Sequence, residues 1–162
     1  MSRQSPKQAL IDELGELFRI SGNQENAFDN LAAQKLRVNR TDLNCLDVIQ
    51  RIGPLTAGEL ATETGLTTGA VTAVIDRLER AGFARRTRDS HDRRRVMVEG
   101  TRRLFEEAMA IWGPMKAEWD AIMAKRTTAE LELLRGFLED GIAAGSRHAE
   151  RLRSELDADG ES

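Results

Sequence analysis

The stretch RRTRDSHDRRR, residues 85–95, sets six arginines in eleven positions without one lysine. Guanidinium groups at that density bind anions, because each is permanently charged and offers a planar fork of donors that matches phosphate and carboxylate. Residues 77–103 hold ten arginines against Glu79, Asp89, Asp92 and Glu99 in a chain of formal net charge −3, so the rest of the chain carries nine more acids than bases. Such polarity describes a basic surface for a polyanion on an acidic, solubilising body. The plainer reading is a solvated hairpin tip whose arginines pair with nearby acids.

Other chemistry is thin. Cys45 is the single cysteine, which excludes an intrachain disulfide and a multi-cysteine zinc site. His91 and His148 fall in a charged loop and a late polar helix, and the sequence offers no Gly-rich phosphate loop, metal-ligand spacing or nucleophile–base pair. Hence no catalytic residue, metal or cofactor is expected, and the chain does not read as an enzyme. The opening MSRQSPKQAL lacks the apolar segment of an export signal, and no run approaches the ~18 apolar residues of a membrane span. A cytoplasmic protein without a membrane partner is expected.

The elements that carry the arginines follow from periodicity and caps. Leu10, Leu14, Leu17 and Phe18 predict an amphipathic helix over about 7–20, which Ser21-Gly22-Asn23 should break. A second helix carries Phe28, Leu31, Ala32 and Leu36, and a third runs from about Thr41 to Ile52, stopped by Gly53-Pro54. Thr56 with Glu59 is a capping box opening a short helix that Gly65 closes in the left-handed conformation. Thr67 then caps a helix over about 68–81, whose Val71, Val74, Ile75 and Leu78 form one apolar stripe, with Gly82 ending it. Beyond Gly82 the period changes, and FARRTR and RRVMVE read as strands about the turn-rich DSHD. Two helices about a tight turn followed by a basic hairpin is the order of a winged helix-turn-helix, with the arginine stretch as the wing.

Two more helices close the chain. The first carries Leu104, Ala108, Ile111, Met115 and Trp119 and should be interrupted and kinked at Gly113-Pro114; the second is capped by Thr127 with Glu130 and bears Leu131, Leu134, Leu138 and Ile142. The fold class is mainly α with a small β-hairpin wing. Residues 40–103 form the winged part, 7–38 and 104–156 a helical dimerisation part, and 157–162 a disordered tail. The apolar faces of the terminal helices, with Leu10, Leu14, Leu131, Leu134 and Leu138, exceed what a domain of about 60 residues can cover and imply a homodimer.

If residues 68–81 enter a major groove, the face opposite the apolar stripe meets DNA. It contains Gly69, Thr72, Ala73, Asp76 and Arg80, flanked by Thr68, Ala70 and Arg77. Small side chains let the backbone approach base edges, threonine can bond a base or touch a thymine methyl, and Arg77 can reach phosphate or guanine. Free amides near Thr67 and Thr68 suit a phosphate. Asp76 is expected to pair with Arg80 one turn on rather than to read a base.

ELATETGLTTGAVTAVIDRLERAGFARR, followed after a spacer by DRRRVMVEGT, resembles the multiple-antibiotic-resistance regulator (MarR) family of winged-helix bacterial transcription factors, with Asp92-Arg93-Arg94 and Thr101 in the family's wing signature. One departure is Leu104, where the family usually has Gly or Ala, which implies different packing at the start of the helix after the wing. The resemblance implies a dimeric, ligand-responsive repressor acting on double-stranded DNA at a pseudo-palindromic operator, as one MarR-like chain over residues 1–162. It points to Arg94 as the side chain inserted in the minor groove and to Asp92 as the acceptor fixing the tip. Arg86, Arg88, Arg93 and Arg95 are the remaining wing candidates, Arg93 and Arg95 meeting phosphates or strand neighbours, and His91 at the tip is solvated or near a phosphate. A small aromatic or anionic effector is implied between the dimer helices and the winged part, where Phe28, Met109, Trp112 and Trp119 are candidates to line a cleft, though such residues more often build core. Cys45, among the apolar positions of its helix, reads as inert core. The alternative function is a winged-helix interaction module binding an acidic protein.

Overall fold

A computed structural model describes residues 5–89 and 92–160, so His91 lies outside the described residues. The chain forms two compact units that divide between Trp112 and Gly113.

In the first unit, α1 (Pro6–Leu36) is capped by Ser5, whose hydroxyl accepts from the Gln8 amide, with Pro6 in the first turn. The expected break at Ser21-Gly22-Asn23 does not occur. A helical glycine costs about 1 kcal/mol, too little to end a 31-residue helix braced by the Glu16–Arg19 and Ser21–Glu25 contacts. Then follow α2 (Arg40–Ile52), β1 (Leu55–Thr56), α3 (Ala57–Thr64), α4 (Thr68–Arg80), β2 (Ala84–Arg88) and β3 (Val96–Gly100). The capping box at Thr56 and Glu59 forms with both bonds present, Gly65 takes φ 68°, and Thr67 caps α4. β1 was not anticipated. It pairs antiparallel with β3 through Leu55 opposite Val98, making a three-stranded sheet of order β1-β3-β2.

The core of this unit joins Ala32, Ala33 and Leu36 of α1 to Leu46 and Ile49 of α2, Leu60 of α3, and Val98 of β3. The stripe Val71, Val74, Ile75 and Leu78 of α4 is at most 1% exposed, which fixes the opposite face of that helix toward solvent. Phe83 and Leu104 seal the end beneath the wing.

α5 (Arg102–Met123) crosses the division as one continuous helix with Pro114 inside it, so the expected interruption is absent. Proline removes one intrahelical hydrogen bond, to the Ala110 carbonyl, without ending the helix. In the second unit α6 (Thr128–Gly160) follows the Thr127–Glu130 capping bonds. It extends through residues 157–160, where a disordered tail was expected. Leu133, Phe137, Leu138, Ile142, Leu152 and Leu156 all stand half or more exposed along it, as do Leu10 and Leu17 on α1 in the first unit. No helix among the described residues is long and apolar enough to cross a membrane.

Candidate nucleic-acid interface

α4 presents Thr67, Thr68, Gly69, Ala70, Thr72, Ala73 and Arg80 to solvent. Thr67 caps the helix by accepting from the Ala70 amide at 3.3 Å, and Thr72 donates its hydroxyl proton to the Thr68 carbonyl at 3.0 Å. The Arg80 Nε bonds the Asp76 carbonyl at 3.1 Å.

Arg77 does not stand on this face as a free cation. Its Nε reaches both Asp42 oxygens, at 3.2 and 3.0 Å, and its Nη2 reaches Oδ1 at 2.5 Å. Asp42 is 3% exposed, in the first turn of α2, so the guanidinium serves a buried carboxylate and ties α4 to α2. The fork-to-fork hydrogen bonding pushes the Arg77 pKa up. A pair 35 residues apart in sequence leaves no local pattern to read.

The expected Asp76–Arg80 side-chain pair is also replaced. Arg86 of β2 reaches Asp76 at 2.7 Å and also contacts Glu79, whose other oxygen accepts from the Arg86 amide at 2.7 Å. A guanidinium held by two acids from successive turns of α4 outcompetes one exposed neighbour along the helix. Arg86 therefore fastens the wing to α4, and its pKa rises, first through the hydrogen bond to Asp76. Arg95 reaches Glu59 of the α3 capping box at 3.1 Å, and Arg85 crosses the hairpin to Glu99 at 2.7 Å.

Arg88, Arg93 and Arg94 are exposed and have no ion-pair partner among the described residues. Arg88 ends β2, and Arg93 and Arg94 occupy a turn over residues 92–95. The Asp92 carboxylate accepts from the Arg94 amide at 3.0 Å while its carbonyl accepts from the Arg95 amide at 2.9 Å. Asp89, not anticipated, accepts from the Asp92 amide at 3.1 Å, and its own amide donates to the Arg95 carbonyl at 3.1 Å. Two aspartates three apart beside a turn are the local signal that could have disclosed it.

The base of the wing is fixed by Thr101. Its hydroxyl donates to the Gly82 carbonyl at 2.7 Å and accepts from the Leu104 amide at 3.3 Å, capping α5. Leu104 is 1% exposed and packs over Gly100, where an added Cβ would lie 3.0 Å from its Cδ2. The bulk of Leu104 is thus matched by a missing side chain on the facing strand.

Of the four cleft candidates, two are in contact. Phe28 and Trp112 meet edge to face at 6.2 Å, and Trp112 packs on the core. Met109 is 62% exposed beside Arg102, Phe105 and Glu106 in a shallow depression, and Trp119 belongs to the second unit. Cys45 is fully buried and its thiol is pushed up to about 11, chiefly by burial and then by the nearby Asp42 charge, which leaves it without thiolate reactivity.

A protein of Bacillus subtilis, the HTH-type transcriptional regulator YcgE, is 35% identical over 153 residues, covering 94% of this chain and 99% of its own. Among solved structures, that of MarR is 27% identical over 83% of this chain and 98% of its own, with a TM-score of 0.53. A mutant of MepR from S. aureus, solved bound to an oligodeoxyribonucleotide, shares the fold at 17% identity, over 81% of this chain and 96% of its own, with a TM-score of 0.55. The family model that matches residues 38–96, from the end of α1 to the start of β3, is that of MarR. The chain belongs to the MarR family of DNA-binding, winged helix-turn-helix transcription regulators.

Proposed function

We propose that this chain is a cytoplasmic repressor that binds a two-fold symmetric operator as a homodimer, with α4 of each protomer in a major groove and the wing tip in the adjacent minor groove. The observation that carries it is the sorting of the arginines. Arg77, Arg85, Arg86 and Arg95 pair with acids that hold α2, α3, α4 and the wing strands together, while Arg88 at the end of β2 and Arg93 and Arg94 in the turn fixed by Asp92 are exposed without an ion-pair partner among the described residues. An unspecialised basic patch has no reason to divide its charges into fasteners and contacts. A narrow minor groove attracts arginine in particular, since guanidinium is shed of water more cheaply than ammonium.

Dimerisation is supported by the apolar side chains that α1 and α6 leave in water, among them Leu10, Leu17, Leu138 and Ile142. Within the proposal, Thr67, Thr68, Gly69, Ala70, Thr72, Ala73 and Arg80 form the groove face, and Arg77 and Arg86 act by positioning it. Control by a small aromatic or anionic effector completes the family-type scheme, with Phe28 and Trp112 as the aromatic pair nearest the core. Duplex selection from a random-sequence pool, followed by sedimentation of the complex, tests the proposal. Enrichment of an inverted repeat bound by two protomers is expected; enrichment of nothing, or of an asymmetric site bound by one protomer, would refute it.

A further inference from the structure

The exposed face of α4 has an unusual hydrogen-bonding inventory for a helix that enters a major groove. Side chains that read purine acceptors are donors, Arg and Lys on guanine or Asn and Gln on adenine. The guanidinium nearest the middle of this helix, Arg77, is bound three times by Asp42. The neighbouring Arg86 is occupied by Asp76 and Glu79, and the Asp76 carboxylate, an acceptor only, offers purine N7 no donor. Arg80 stands in the last turn, whereas helices of this type contact bases through their N-terminal residues.

That leaves Thr72 as the side chain at the centre of the face, between Gly69 and Ala73, which carry at most a methyl group. Its one hydroxyl proton is given to the Thr68 carbonyl. What Thr72 presents to a base pair is therefore an oxygen lone pair and a methyl group, and no donor. In the major groove guanine shows only acceptors, which repel a lone pair, but its cytosine partner offers the N4 donor. The hydroxyl alone therefore does not separate G·C from A·T, and the discriminating group is the methyl. An A·T pair shows both the adenine N6 donor and the thymine C5-methyl.

We infer that Thr72 selects an A·T pair in each operator half-site by packing its methyl on the thymine C5-methyl, and that the helix reads its central bases without donating to purine N7. The inference rests on the DNA-binding reading above and specifies its code.

The test uses the duplex enriched by the full-length protein from a random pool. Each thymine is replaced in turn by deoxyuridine, which deletes only the C5-methyl, and each purine by its 7-deaza analogue, which deletes only the N7 acceptor. Replacing the contacted thymine of one half-site should weaken binding about fourfold, the value of one buried methyl-sized group, with 7-deaza purines harmless at the same base pairs. Thr72→Ser keeps the hydroxyl and its bond to Thr68 but lacks the methyl, and should bind thymine and deoxyuridine duplexes equally. Thr72→Val keeps a methyl and should remain sensitive to deoxyuridine. An enriched duplex indifferent to every deoxyuridine, or weakened by 7-deaza purines under the helix, overturns the inference while leaving DNA binding intact. Failure to enrich any duplex overturns both.

Discussion

Arg77→Ala separates a fastener from a DNA-binding side chain. Removing the guanidinium strips three hydrogen bonds from an Asp42 side chain that is 5% exposed, leaving its carboxylate without an ion-pair partner among the described residues. Breaking a buried pair in this way costs about 3 kcal/mol, the low end of the usual range because Arg77 keeps 39% of its side chain in water. Asp42→Asn is the gentler cut, since the freed guanidinium can turn to solvent, and should cost about 1 kcal/mol. The double variant should fall about 2 kcal/mol short of the sum of the singles, the sign of a direct interaction. Urea denaturation of the three variants supplies the cycle, and salt titration of duplex binding supplies the second axis. Arg77→Ala should bind DNA more weakly at every salt concentration with an unchanged log–log slope, whereas removing an arginine that neutralises a phosphate flattens the slope by about 0.9 for each protomer. Wild-type stability combined with a flattened slope would refute the fastening role and restore Arg77 to the DNA-contacting set.

Three further outcomes follow from the geometry. Cys45 should resist alkylation in the native protein at pH 8 and react only on unfolding; because its thiol ionises near 9 when exposed and at about 11 when folded, wild type should lose stability relative to Cys45→Ala as pH rises between those values, by about 1.4 kcal/mol per pH unit, and rapid native alkylation would contradict the burial. Asp92→Ala should weaken operator binding although it removes an acid from a basic surface, because the Arg94 amide loses its acceptor, while Arg94→Ala should cost about 1–3 kcal/mol and relax preference for A·T at the flanks; tighter binding by Asp92→Ala in an anisotropy titration would sink the positioned-arginine mechanism. Gly82→Ala should lower stability by about 1–2 kcal/mol in thermal melts, since φ there is 77° and the new Cβ would lie 3.4 Å from Arg103 Nη1; an unchanged melt would show that the turn does not need glycine.

What was legible in the sequence was local chemistry. Thr56, Glu59, Gly65, Thr67 and Gly82 mark the ends of α3 and α4 because caps act over three or four residues, and the alternation around β2 and β3 is likewise short-range. Breakers misled where the surrounding helix was long enough to absorb their cost, at Gly22 in α1 and Pro114 in α5. β1 escaped notice because two residues carry no period, and its partner Val98 lies 43 residues away. The division of the arginines was invisible for a related reason. Asp42–Arg77, Asp76–Arg86 and Glu59–Arg95 are tertiary pairs, so composition located the basic segment but could not tell its fasteners from its free charges.

The free charges are where the central claim is most exposed to test. Affinity for the selected duplex, measured across a salt series for wild type and for Arg93→Ala/Arg94→Ala, should fall linearly on log–log axes, with the double variant flatter by about 0.9 for each phosphate that the two arginines neutralise. A wild-type affinity indifferent to salt, or a double variant with the parent slope and affinity, would contradict DNA binding through the wing.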